Sequence, residues 1–240
     1  YPCYPNFIRY LRGVPRLVSA GDDRGFQLDP ADARRLIGPR TKAIMIASPA
    51  NPSGTLMPPA DIEEICSLGV PVISDEIYHG LVYGGARARS ALEFGEEIFA
   101  LNGLSKLFAM TGWRLGWIVA PPWAVRTLHI LAQNFFISPN AFVQRAGTAA
   151  LTRTHPEIEE MVARYDARRR FLLERLPALG LRCRVEPKGA FYIFVDASHV
   201  DRDSYRLAFD ILEKAGVALA PGIDFAAASR TRTRSRTSPR

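Results

Sequence analysis

The first half of the chain alternates short apolar runs with turn-rich polar segments and amphipathic stretches. Ala43-Ile44-Met45-Ile46-Ala47 is a continuous apolar run of strand length. Val70-Pro71-Val72-Ile73-Ser74, Ile98-Phe99-Ala100-Leu101 and residues 115–120 repeat the pattern. Unbroken runs of this kind predict parallel strands buried on both faces. Around them the spacing predicts helices over 4–12, 30–37 and 59–68, and a short strand over 16–19. Asp29 precedes the second helix as an N-cap whose carboxylate can accept from the first unpaired amides. Strands and helices in turn argue for an α/β domain on a mostly parallel sheet.

After Pro121 the texture changes. Residues 142–151 and 156–176 predict long helices, the second rich in Glu and Arg at helical spacing. Residues 182–186 and 191–196 read as strands, 204–215 as a helix and 217–220 as a last strand. The chain therefore divides into a first α/β domain over 1–138, a small α+β domain over 139–225, and a tail over 226–240. The tail alternates Arg with Thr or Ser, has no apolar periodicity, and is expected to be disordered.

Composition narrows the function classes. With 240 residues, 48% hydrophobic and 23% charged, the chain can bury a substantial core. No apolar stretch reaches the length of a membrane span. The formal charge of +7 suggests nucleic acid, but five arginines fall at 230, 232, 234, 236 and 240, and without them the charge is +2. No nucleic-acid partner is therefore expected of the body of the protein. Cys3, Cys66 and Cys183 are widely spaced, with no CxxC pair, and predict neither a disulfide frame nor a zinc site. Residues 1–5 lack a basic segment followed by an apolar run, so a cytoplasmic protein without a leader is expected.

Candidate chemistry lies at the strand ends. Asn51, Asp75 and Lys106 each fall just past a predicted strand, and parallel sheets bind ligands beyond the carboxyl ends of their strands. Lys106 stands in Ser105-Lys106-Leu107-Phe108-Ala109-Met110-Thr111-Gly112-Trp113-Arg114, between a strand and a glycine-flanked arginine. An amine that attacks an aldehyde needs a partly dry pocket with cationic neighbours. A phosphate in the same pocket wants a hydroxyl and a guanidinium fork, and Ser105 and Arg114 are those groups. Singly, each residue has an ordinary reading as a cap, turn or core position. Their order and spacing together argue for a site.

This combination resembles the Schiff-base lysine segment of the pyridoxal-phosphate-dependent aminotransferases of classes I and II, of fold type I, over residues 1–225. The resemblance implies that Lys106 holds pyridoxal 5'-phosphate as a Schiff base and moves the substrate's Cα proton. It implies that Asp75, in Ser74-Asp75-Glu76-Ile77-Tyr78, faces the pyridine nitrogen, and that Tyr78 hydrogen-bonds the ring 3-oxygen. Asn51, in Asn51-Pro52-Ser53-Gly54, matches the asparagine near that oxygen and the substrate carboxylate. Ser105 and Arg114 match phosphate ligands, and Tyr1, aligned through Tyr4, matches the ring-stacking aromatic. Pro187-Lys188-Gly189-Ala190-Phe191-Tyr192 resembles the glycine-aromatic stretch of the family's small domain.

The implied reaction passes an amino group from an amino acid to a 2-oxo acid, in a homodimer. By the same comparison, residues 1–138 are a partial large cofactor-binding domain and the C-terminus departs from the family. Carbon–sulfur lyases and other lyases of the fold, an aminotransferase-like regulatory domain, and an inactive fragment stay open at this point.

Overall fold

The computed structural model describes residues 1–225, and the tail of 226–240, expected to be disordered, lies outside the described residues. Four strands form one sheet in the order β1 (Ile44–Ala47), β2 (Val72–Asp75), β3 (Ile98–Gly103) and β4 (Gly116–Val119). β1, β2 and β3 are parallel, with Ile44 opposite Val72 and Val72 opposite Ile98. β4 returns antiparallel to β3, with Ala100 opposite Val119. The sheet is thus mostly parallel, as the apolar runs predict. Parallel neighbours require a crossover, and helix α3 (Pro59–Cys66) supplies it between β1 and β2.

One face of this sheet makes the main core. Ile44, Ile46, Val72 and Ile98 pack with Ile62 and Ile65 of α3, and with Met57 and Ala91. The alternate residues Met45, Ala47 and Ile73 are only half-buried, so the strands are not covered equally on both faces as predicted. β4 departs further, since all four of its residues are exposed. An apolar run reports strand length but cannot say whether a second layer covers it.

Helices α1 (Tyr4–Tyr10) and α2 (Pro30–Leu36) stand close to their predicted positions. Asp29 caps α2 as expected, its Oδ1 accepting from the Ala31 amide at 2.8 Å. In the second half α5 (Ala141–Thr152), α6 (Pro156–Arg175) and α7 (Ser204–Ala215) match the predicted helices. Asp203 caps α7 by accepting from the amides of Tyr205 and Arg206.

Several predicted elements are corrected. Residues 16–19 and 217–220 form no strand, because no neighbouring backbone completes a ladder with them. The strands predicted over 182–186 and 191–196 reduce to a single antiparallel bridge, Arg182 to Asp196. Asn102 and Gly103, which look like a turn, instead extend β3. The largest omission is α4 (Pro122–Phe136), fifteen residues long. Its start carries a usable signal, since Pro122 at the first helical position needs no amide partner. Its body carries a polar side, with Arg126, His129 and Gln133 at helical spacing, but Trp123 and Ile130 fall on that side too, and Trp123, Phe135 and Phe136 remain exposed.

Candidate active site

The carboxyl ends of the three parallel strands lie at one edge of the sheet, and the loops that follow carry the chemistry. Asp75 is the last residue of β2, Tyr78 follows in the next turn, Lys106 comes just after β3, and Asn51 lies in the loop after β1. All four line one cavity of about 260 Å³, together with Tyr1 and Tyr192. Residues far apart in sequence therefore converge as predicted.

Gly54 explains how the second half of the chain reaches this cavity. Its φ of +66° is left-handed, and a Cβ there would come within 2.6 Å of Pro187 Cβ and 2.8 Å of the Gly189 carbonyl oxygen. That close approach lets the Gly54 carbonyl accept from the amides of Lys188 and Gly189 at 2.9 and 2.8 Å. Phe191 and Tyr192 are thereby delivered beside Tyr78.

The electrostatics are organised around one carboxylate and one amine. Asp75 accepts from the Ile77 amide at 3.1 Å through Oδ1 and from the Tyr4 hydroxyl through Oδ2. Burial, reinforced by the nearby Asp75 charge, holds the Tyr4 phenol far above its ordinary pKa. Tyr78 is raised for the same first reason, with a further contribution from its hydrogen bond to Tyr192. Both phenols are thus neutral donors across the physiological range. Lys106 Nζ lies 5.9 Å from the Tyr78 ring centroid and 5.7 Å from that of Phe191, within reach of both aromatic faces.

Three further placements bear on the sequence reading. Asn51 Oδ1 is buried with no hydrogen-bond partner among the described residues, and a buried acceptor without a donor suits a site shaped for a ligand. Tyr1 stands edge-on to Tyr4 at 5.2 Å and remains half exposed. Ser105 and Arg114 do not line the cavity. Arg114 is exposed and donates to the Thr111 carbonyl at 3.0 Å, while the Ser105 carbonyl accepts from the Thr111 hydroxyl at 2.9 Å. Sequence reasoning missed Tyr4 and Tyr192 as site residues. Tyr4 serves in the sequence only to align Tyr1, and nothing local shows that its hydroxyl reaches Asp75.

The donor set can be matched to a ligand by its chemistry. A carboxylate suits a protonated ring nitrogen, a phenol and a carboxamide suit a ring oxygen, and a primary amine suits an aldehyde. Aromatic side chains beside them suit a planar ring. The residues fit the ring end of pyridoxal phosphate, whereas the phosphate end is not closed by Ser105 and Arg114 in this arrangement.

The sequence model of the aminotransferase class I and II family matches residues 1–238. The chain belongs to that family. It is 39% identical to aspartate/prephenate aminotransferase of Thermus thermophilus over 236 residues, covering 95% of this chain and 61% of that protein. It is 38% identical to valine–pyruvate aminotransferase of Mycobacterium tuberculosis, covering 94% and 59% respectively. In three dimensions it superposes on the Thermus thermophilus aspartate aminotransferase solved with maleate, with a TM-score of 0.90 at 38% identity, over 95% of this chain and 61% of that one. The chain thus spans about three-fifths of the length of these relatives. Its family match also runs beyond residue 225, where the recognisable motifs end.

Proposed function

We propose that this aminotransferase binds pyridoxal 5'-phosphate in the cavity at the carboxyl ends of β1, β2 and β3 and transfers an amino group from an amino acid to a 2-oxo acid. The observation that carries the reading is the convergence of Lys106, Asp75, Tyr78 and Asn51 on one cavity. Family membership supports the same reading.

When bound, the cofactor supplies an aldehyde for the lysine and a ring able to take up electrons from a substrate Cα. Lys106 Nζ would hold the cofactor through its aldehyde carbon and would be the base that takes up and returns the Cα proton. Asp75 would place its carboxylate beside the ring nitrogen and so would favour the protonated form of that nitrogen. Tyr78 would donate its hydroxyl hydrogen to the ring 3-oxygen. Asn51 has its amide group in the same cavity, available to that oxygen or to a substrate carboxylate. Tyr1 is assigned to the ring face, and Ser105 and Arg114 to the phosphate. The last assignment requires the Arg114 side chain to turn from the Thr111 carbonyl toward the ligand.

The division into a partial cofactor-binding domain over 1–138 and a small domain over 139–225 belongs to the same proposal. So does a cytoplasmic homodimer, supported by the exposed apolar residues Trp123, Phe135, Phe136 and Phe142. No helix among the described residues is long and apolar enough to cross a membrane.

The test is the visible absorbance of purified chain mixed with pyridoxal phosphate, against Lys106→Ala. A lysine-dependent band, lost on addition of an amino acid and restored by a 2-oxo acid, is expected. An identical spectrum for the two proteins would refute the assignment of Lys106.

A further inference from the structure

Residues 187–192 are tied down by backbone hydrogen bonds and carry Tyr192 into the cavity lining. Beyond the two hydrogen bonds to Gly54, the Ala190 amide donates to the Leu81 carbonyl at 2.9 Å and the Tyr83 amide to the Lys188 carbonyl at 2.9 Å. Ala190 is fully buried and has a φ of +56°, a conformation that a residue with a Cβ holds only where its surroundings over-determine it. The strained residue turns the chain so that the next two rings meet Tyr78. Phe191 stands edge-on to Tyr78 at 5.5 Å, and the hydroxyls of Tyr192 and Tyr78 are 2.6 Å apart.

Two phenol hydroxyls at this distance share one hydrogen bond, so one donates and the other accepts. Among the described residues neither makes another. A ring 3-oxygen carrying negative charge can only accept. If Tyr78 gave its hydrogen to Tyr192, it would present lone pairs to that oxygen and repel it.

We propose that Tyr192 is a positioning residue that donates to Tyr78 and so leaves the hydrogen of Tyr78 aimed at the cofactor's 3-oxygen, an inference that rests on the pyridoxal phosphate reading of the cavity. Donation into the Tyr78 oxygen also polarises its own O–H bond and strengthens the next link. Charge drawn off the 3-oxygen lowers the pH at which the lysine-bound cofactor loses its proton.

The experiment compares the visible-absorbance pH titrations of cofactor-loaded wild type, Tyr192→Phe, Tyr78→Phe and the double variant. Tyr192→Phe keeps the ring that packs 5.7 Å from Tyr78 and 4.9 Å from Phe191, and removes only the oxygen. Its midpoint is expected to move up by about 0.3 of a pH unit, the size of a cooperative contribution to one hydrogen bond. Tyr78→Phe should move further, and the double variant should match Tyr78→Phe. An unchanged midpoint in Tyr192→Phe overturns the proposal. So does a Tyr192→Phe shift that persists in full without the Tyr78 hydroxyl, because the effect would then not pass through Tyr78. A wild type with no Lys106-dependent band overturns the pyridoxal phosphate reading itself, and this inference with it.

Discussion

The hydroxyl of Tyr4 donates to Oδ2 of Asp75, tying the first helix to the end of β2 across 71 residues of sequence. The other carboxylate oxygen is held by the Ile77 amide, so the orientation of Asp75 is fixed from two sides. Tyr4→Phe should destabilise the chain by about 1.5–3 kcal/mol, the range for a hydrogen bond to a charged group. Urea unfolding reads this as a lower midpoint with unchanged slope. An unchanged midpoint would mean that the phenol contributes nothing to holding the carboxylate.

Asp75→Asn keeps the shape of that side chain but removes its charge. If Asp75 faces the ring nitrogen, the rate at which bound amino acid is converted should fall at least about a hundredfold, as for other preorganised electrostatic groups. Stopped-flow spectra of the cofactor-loaded variant measure this directly. A rate within a few-fold of wild type would remove Asp75 from that role.

Gly54→Ala tests the contact between the two halves of the chain. The new methyl meets Pro187 and the Gly189 carbonyl at under 3 Å, in a backbone conformation with φ of +66°. A loss of about 1–3 kcal/mol is expected from overpacking and left-handed strain combined. Thermal unfolding followed by tyrosine fluorescence should show it.

Ile65→Ala probes the packing of α3 on the sheet. Ile65 is fully buried among Ile44, Ile46 and Val72, so truncation should cost about 2–5 kcal/mol through lost burial and a residual cavity. A loss below about 1 kcal/mol would indicate that the face collapses around the smaller side chain.

Alkaline pH should unfold the chain through its buried phenols. Burial raises Tyr83 from an ordinary 10.0 to about 12, and Tyr4 and Tyr78 are raised further. A folded-state pKa above the unfolded value means that the neutral phenol is favoured by the fold. The resulting stability is fully present below pH 10.0 and is lost as pH rises toward 12. Tyr83→Phe should be less sensitive to pH across that window, as read by urea midpoints at successive pH values. Equal pH dependence in the two proteins would show that Tyr83 does not contribute.

Much of the carboxyl end of the sheet was legible because it is local. Asp75, Lys106 and Asn51 each follow an apolar run, and a run that ends in a polar residue marks where a parallel strand delivers its loop. Helix α2 was legible through Asp29 and Pro30, whose cap and first-turn preferences act within a few residues. Helix α4 was not, since Trp123 and Ile130 fall among Arg126, His129 and Gln133 and blur its polar side. The strands predicted over 16–19 and 217–220 failed for a different reason. Strand formation depends on a hydrogen-bonded neighbour, and the sequence does not show where that neighbour lies.

The sequence by itself determined the family, the order of the strand-end residues and the kinds of group available to a cofactor, because these depend on short-range pattern and residue chemistry. The tertiary structure decided which hydroxyls meet which partners. Tyr4 on Asp75 and Tyr192 on Tyr78 bridge 71 and 114 residues, and no local propensity encodes a contact at that range. It also placed Arg114 in solvent beside Thr111, since a side chain's direction follows from how its loop packs and not from its spacing to the lysine.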